Sequence, residues 1–145
     1  NSAHIDNYLA YPTENNLIMD TALYNLGGGT YNTGTGIYTV PSNGVYDIVS
    51  KFNISFGSST DNSIILILRV YVNGTHVEQG NIQDEAVIST SYAQQYLYNF
   101  QQQLTAGDEV SFRFIVSFWD GNLPGPRISG GSSTSTSTIT ITKVY

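Results

Sequence analysis

Apolar side chains recur at every second position of this chain, in runs broken by glycine, proline and asparagine, and a period of two is that of a β-strand. From Gly44 to Phe56, Tyr46, Ile48, Phe52, Ile54 and Phe56 fall on one side, while Asp47, Lys51, Asn53 and Ser55 fall on the other. From Val110 to Phe118, Val110, Phe112, Phe114, Val116 and Phe118 oppose Ser111, Arg113 and Ser117. Each strand therefore has one face for a core and one for water. No segment reads as a helix of useful length, so the chain is all-β.

Ile64 to Val72 breaks the rule in an informative way. Ile64, Leu66, Leu68, Val70 and Val72 fill one face, and Ile65, Ile67 and Tyr71 fill most of the other. Such a strand needs cover on both sides. Asn73-Gly74 follows, the pair favoured in a two-residue type I′ turn, so Val70–Val72 is expected to fold back on Thr75–Val77. Tyr96, Tyr98 and Phe100 alternate with Leu97 and Asn99 and lead to a turn at Thr105-Ala106-Gly107-Asp108. Asp120 to Gly131 holds four Gly and two Pro and reads as a long exposed loop. The Ser/Thr tract from Ser132 to Thr138 runs into Ile139-Thr140-Ile141-Thr142-Lys143-Val144-Tyr145, read as a terminal strand. The spacing suits a sandwich or jelly roll of about ten antiparallel strands in one domain over 1–145, with 1–12 an N-terminal strand or a tail joining a preceding stalk.

Charge and composition narrow the function. Only 11% of residues are charged, and five Lys and Arg stand against eleven Asp and Glu, spread along the chain, which argues against nucleic acid as a partner. No apolar run reaches the ~18 residues of a membrane span. There is no cysteine, hence no disulfide, thiolate nucleophile or Cys-based zinc site. The two histidines, His4 in an N-terminal tail and His76 beside the Asn-Gly turn, have no setting suited to a nucleophilic triad, and His76-x-Glu78 is only a two-ligand metal pattern. No enzyme is expected and no cofactor is required. Asp84-Glu85 with Asp61 or Asp120 can form a Ca²⁺ site, against the plainer reading of solvated loop acids. Gly27-Gly28-Gly29 lacks a Lys and a following helix, so it reads as a loop. Asn53-Ile54-Ser55 and Asn73-Gly74-Thr75 are formal glycosylation sequons. Trp119, between Phe118 and Asp120, can stack on a sugar or anchor a protein partner, or serve as a core or interface plug. Trp119, Asp120, Asp84 and Glu85 are the candidate ligand-binding residues.

One set of motifs points to a family. Asp20-Thr21-Ala22-Leu23-Tyr24-Asn25 is followed by Tyr31-Asn32-Thr33-Gly34-Thr35-Gly36-Ile37-Tyr38-Thr39-Val40-Pro41-Ser42-Asn43-Gly44-Val45-Tyr46. Then come Val70-Tyr71-Val72-Asn73-Gly74 and Leu104-Thr105-Ala106-Gly107-Asp108-Glu109-Val110. In this order they resemble the globular head of the C1q/TNF-like superfamily, while the closing Ile-Thr-Ile-Thr-Lys-Val-Tyr looks more like the last strand of microbial, phage or viral heads of that fold. The resemblance implies a two-sheet jelly roll assembling as a compact homotrimer, extracellular or displayed on a virion, spore or cell surface. A bland alternative is a wider monomeric sandwich. The apolar surplus on Ile65, Ile67, Tyr71, Tyr96 and Tyr98 is the candidate trimer interface. The expected function is a non-catalytic recognition and adhesion head whose end loops bind a glycan or protein receptor. The alternative is a structural trimerisation or capsid, fibre or exosporium building block without its own ligand.

Overall fold

In a computed structural model, residues 14–19, 28–56, 62–86, 92–119, 127–129 and 137–145 are described. They form ten strands and no helix: β1 (Glu14–Asn16), β2 (Thr30–Asn32), β3 (Ile37–Thr39), β4 (Gly44–Phe56), β5 (Asn62–Val72), β6 (Thr75–Ala86), β7 (Tyr92–Leu104), β8 (Glu109–Trp119), β9 (Arg127–Ser129) and β10 (Thr138–Lys143). All pairings are antiparallel. One sheet runs β2-β3-β8-β5-β6, with β1 lying beside β8 beyond β3; the other runs β10-β4-β7, with β9 continuing the line of β10 along β4.

The period of two decides what faces inward. Tyr46, Ile48, Phe52 and Ile54 of β4 meet Leu66, Leu68 and Val70 of β5 and Val110, Phe112, Phe114 and Val116 of β8 in one buried cluster. Phe52 and Phe114 pack edge to face, ring centres 4.9 Å apart, which locks the two sheets at the middle of the sandwich. Tyr96, Tyr98 and Phe100 of β7 and Ile139 and Ile141 of β10 pack against the same cluster. Much of the aromatic surplus of β7 is therefore used inside this chain.

The Asn73-Gly74 turn has the two left-handed residues expected of type I′, with φ of 50° and 75°. Its register is not a plain ladder. Tyr71 pairs with His76 and Val70 with Glu78, so Val77 is left in a bulge. The proline- and glycine-rich stretch also differs from a plain loop, because Arg127–Ser129 pairs with Ser55, Ile54 and Asn53, and Ile128 is buried. Between β9 and β10, the backbone N–H of Asn53 donates to the Ser137 hydroxyl at 3.0 Å. A side chain thus completes the ladder where one strand ends and the next begins. The terminal strand begins at Thr138, and residues 1–12, 20–25 and 120–126 lie outside the described residues.

Candidate functional site

At one end of the sandwich three loops are tied into one network. The Asn73 backbone N–H donates to the Glu109 carbonyl, and the Asn73 side-chain oxygen accepts from the Glu109 N–H, both at 2.9 Å. The Asn73 amide donates to Asp108 at 2.8 Å, whose other oxygen accepts from the Thr105 N–H at 2.8 Å. Those bonds, Thr105 first and Asn73 next, hold the Asp108 carboxyl below its usual range. The Ala106 N–H donates to the Asn43 side chain, and Val40 exchanges backbone bonds with Gly107 and Asp108. The Asn-Gly turn and the Leu-x-x-Gly-Asp-x-Val turn are thus two halves of one device, closed on the loop after Val40. Its polar groups point at each other, so this end is built for rigidity.

His76 and Glu78 do not converge as a metal pair. His76 Nε2 lies 3.1 Å from the Glu78 carbonyl, while the Glu78 carboxylate accepts from the Tyr98 hydroxyl at 3.2 Å. Tyr98 also donates to the Gln79 carbonyl at 2.9 Å, and its ring covers Gly80 so closely that a Cβ there would sit 2.4 Å from it. Tyr98 thereby clips the β7 edge of one sheet to the β6 edge of the other. Burial foremost, then the Glu78 charge, raises its hydroxyl pKa. A shallow hollow lined by Tyr31, Asn32, Thr35, Ile37, Thr39 and Glu109 carries one carboxylate and no neighbouring base.

At the opposite end of the six-stranded sheet, the register sets Asp84, Ile64 and Trp119 in one row across β6, β5 and β8, with Glu85 one step further opposite Ser63. Eight residues of strand, roughly 26 Å, separate this row from the Asn73 turn. Three of the candidate ligand residues thus share one sheet end, while Asp120 and Asp61 lie outside the described residues. Among the described residues no three acidic or histidine side chains group as a metal site.

The two outer faces differ in character. On the four-stranded sheet the rows read Thr138-Lys51-Leu97, Thr140-Val49-Asn99 and Thr142-Asp47-Gln101, with Leu97 71% exposed. On the six-stranded sheet Arg69 pairs with Arg113 and Ile67 with Ile115, and Ile65 continues the same side of β5. Glu14 of β1 lies 3.1 Å from Arg113 and 3.7 Å from Arg69. Its carboxyl is held below the usual range, first by the Tyr71 hydroxyl that donates to it and then by Arg113, with burial opposing both. Of the candidate interface residues, Ile65 and Ile67 are half-buried on this outer face, Tyr71 is buried beside Glu14, and Tyr96 and Tyr98 face inward. Sequence reasoning did not identify the Arg69–Arg113–Glu14 group. Its one signal was an arginine on the second face of a strand otherwise apolar on both.

No family model and no curated protein sequence matches the chain. Among solved structures, the globular domain of the zebrafish complement 1qA protein matches with a TM-score of 0.61 and 17% identity, over 99% of this chain and 93% of that one. At that identity the likeness establishes the fold: the chain has the antiparallel two-sheet architecture of a C1q globular domain.

Proposed function

We propose that this chain is the non-catalytic head of a trimeric surface or virion protein, displayed outside the cell, which binds a glycan or protein receptor through the sandwich end that carries Trp119, Asp84 and Glu85, with Asp120 next to Trp119 in the sequence. The observation that carries the reading is the outer face of the four-stranded sheet. Thr138, Thr140, Thr142, Asn99 and Gln101 line it, Leu97 stands exposed on its β7 edge strand, and Asp47 and Lys51 are the charges in its three rows. Subunit contacts are seeded by apolar anchors, and here Leu97 stands among five uncharged polar side chains with one acid and one base that balance in charge. The subunit contact therefore falls here in place of the face of Ile65, Ile67 and Tyr71, where charges crowd.

The fold is one that assembles and displays loops, and fold alone fixes no ligand. Three weak sites on one rigid trimer gain by avidity, so the reading asks no deep cavity of a single copy. Microbial or viral origin rests on the closing residues of the chain. Calcium at Asp84 and Glu85 belongs to the same proposal, as an aid to ligand binding at that end. Static light scattering over a dilution series tests the assembly. A stable species at three times the 15.8 kDa chain mass supports the reading, and a monomer at every concentration ends it.

A further inference from the structure

The outer face of the six-stranded sheet holds charges that the trimer reading leaves unused. Arg69 and Arg113 are direct partners across β5 and β8, so two guanidinium groups emerge side by side. Like charges in that position destabilise a sheet unless compensated. Among the described residues Glu14 is the carboxylate that reaches both, and one carboxylate against two guanidiniums leaves a positive charge over. Its Oε1 is also engaged by the Tyr71 hydroxyl, whose ring lies 4.1 Å from the Arg113 guanidinium carbon. The Nε of each arginine is buried without a partner among the described residues, although both side chains remain about one-third exposed, at 33% and 32%. Among the described residues the pair is thus anchored by one carboxylate and left under-neutralised. Two residues along, Ile67 and Ile115 form a half-exposed aliphatic shelf on the same face.

We propose that Arg69 and Arg113 dock a carboxylate that sits beside an aliphatic side chain, the chemistry of an acidic peptide segment in a partner protein. Charge complementarity supplies the first half: guanidiniums bind carboxylates with charge-assisted, often forked hydrogen bonds. The isoleucine shelf supplies the second. A sugar would want an open aromatic face, and the ring at this site, Tyr71, is 8% exposed and stacked with Arg113. The site lies on the sheet opposite the proposed subunit contact, and its being open to a partner rests on that reading.

The test is an NMR titration of the intact chain, following the Nε–H signals of Arg69, Arg113 and, as control, Arg127 on β9 of the other sheet. The probe is the blocked peptide acetyl-Leu-Asp-Leu-amide, with its Asn counterpart as the uncharged control. Saturable shifts at Arg69 and Arg113 alone, absent with the Asn peptide, are expected. Arg113→Gln should weaken binding about tenfold, as loss of one partner of a charged pair does. Glu14→Gln removes the competing carboxylate and should tighten binding several-fold, an effect that general loss of structure cannot mimic. The dispersion of backbone amide signals reports folding of each variant. Equal shifts with the Asn peptide, or unchanged binding in folded Arg113→Gln and Arg69→Gln, overturn the site. Larger shifts at these arginines with N-acetylneuraminate overturn the assignment to a peptide.

Discussion

Asn73 holds a φ of 50°, a conformation that costs an ordinary residue roughly 1 kcal/mol, and its side chain makes two further bonds to Asp108 and Glu109. The two contributions separate by substitution. Asn73→Gly keeps the backbone geometry and loses the side-chain bonds, each worth about 0.5–1.5 kcal/mol, whereas Asn73→Ala loses both. Urea unfolding should rank the native chain above Asn73→Gly and that above Asn73→Ala. Glu14 gives a pH prediction. Its folded pKa lies below the ordinary 4.5, so its stabilisation is complete above that value and fades as pH falls through the folded pKa. The thermal midpoints of the native chain and Glu14→Gln should differ at neutral pH and draw together in acid. Salt should shrink the gap, since these side chains are about one-third exposed. At this scale the sequence announced the turn type through Asn-Gly. It did not announce that Asn73 and Asp108 bond to each other, because that contact spans 35 residues and depends on how the β5–β6 hairpin meets the β7–β8 connection between the two sheets.

β4, β7 and β8 were legible as elements because each pairs a buried face with a wetted one, and β5 because it is apolar on both, whereas of the polar β6 only its start at Thr75–Val77 was legible. Phe114 shows what the buried face is worth. It is fully buried against Phe52, so Phe114→Ala should cost about 3–5 kcal/mol, read as a lower urea midpoint with little change in slope. The short elements were not legible, for the same physical reason. β1 and β9 span three residues each, too few to express a period, and exist because β8 and β4 offer edges for them to pair with. Ser137 is a case in point. In a Ser/Thr tract it looks interchangeable, yet it is buried and its hydroxyl accepts the Asn53 N–H between β9 and β10. Ser137→Ala should cost about 1–3 kcal/mol by leaving that donor unpaired, and Ser137→Thr should recover much of it. The bulge at Val77 was hidden too, since the pattern of apolar residues carries no mark of an extra residue inserted into one strand of a hairpin.

At the scale of the whole molecule, the surplus of apolar and aromatic residues divides three ways. Tyr96 and Tyr98 complete this chain's own core, Ile65, Ile67 and Ile115 border a pair of arginines, and Leu97 stands out from a mostly uncharged polar face. Composition alone could not sort them, because which face a strand turns outward is settled by the sheet it joins. Two substitutions now discriminate between the faces. Under the proposed assembly, Leu97→Glu places three negative charges at the subunit contact, one from each copy, and should drive the trimer to monomers at low salt, with high salt partly restoring it. Because Leu97 faces outward and makes no part of the buried cluster, the monomer should keep its β circular dichroism. Ile67→Glu on the other face should leave the mass at three chains. The reverse pattern, in which Ile67→Glu dissociates the assembly and Leu97→Glu does not, would move the subunit contact onto the six-stranded sheet and bury the arginine pair within it. Glu14, Arg69 and Arg113 would then be an inter-subunit lock, and the carboxylate they await would belong to a second copy of this chain.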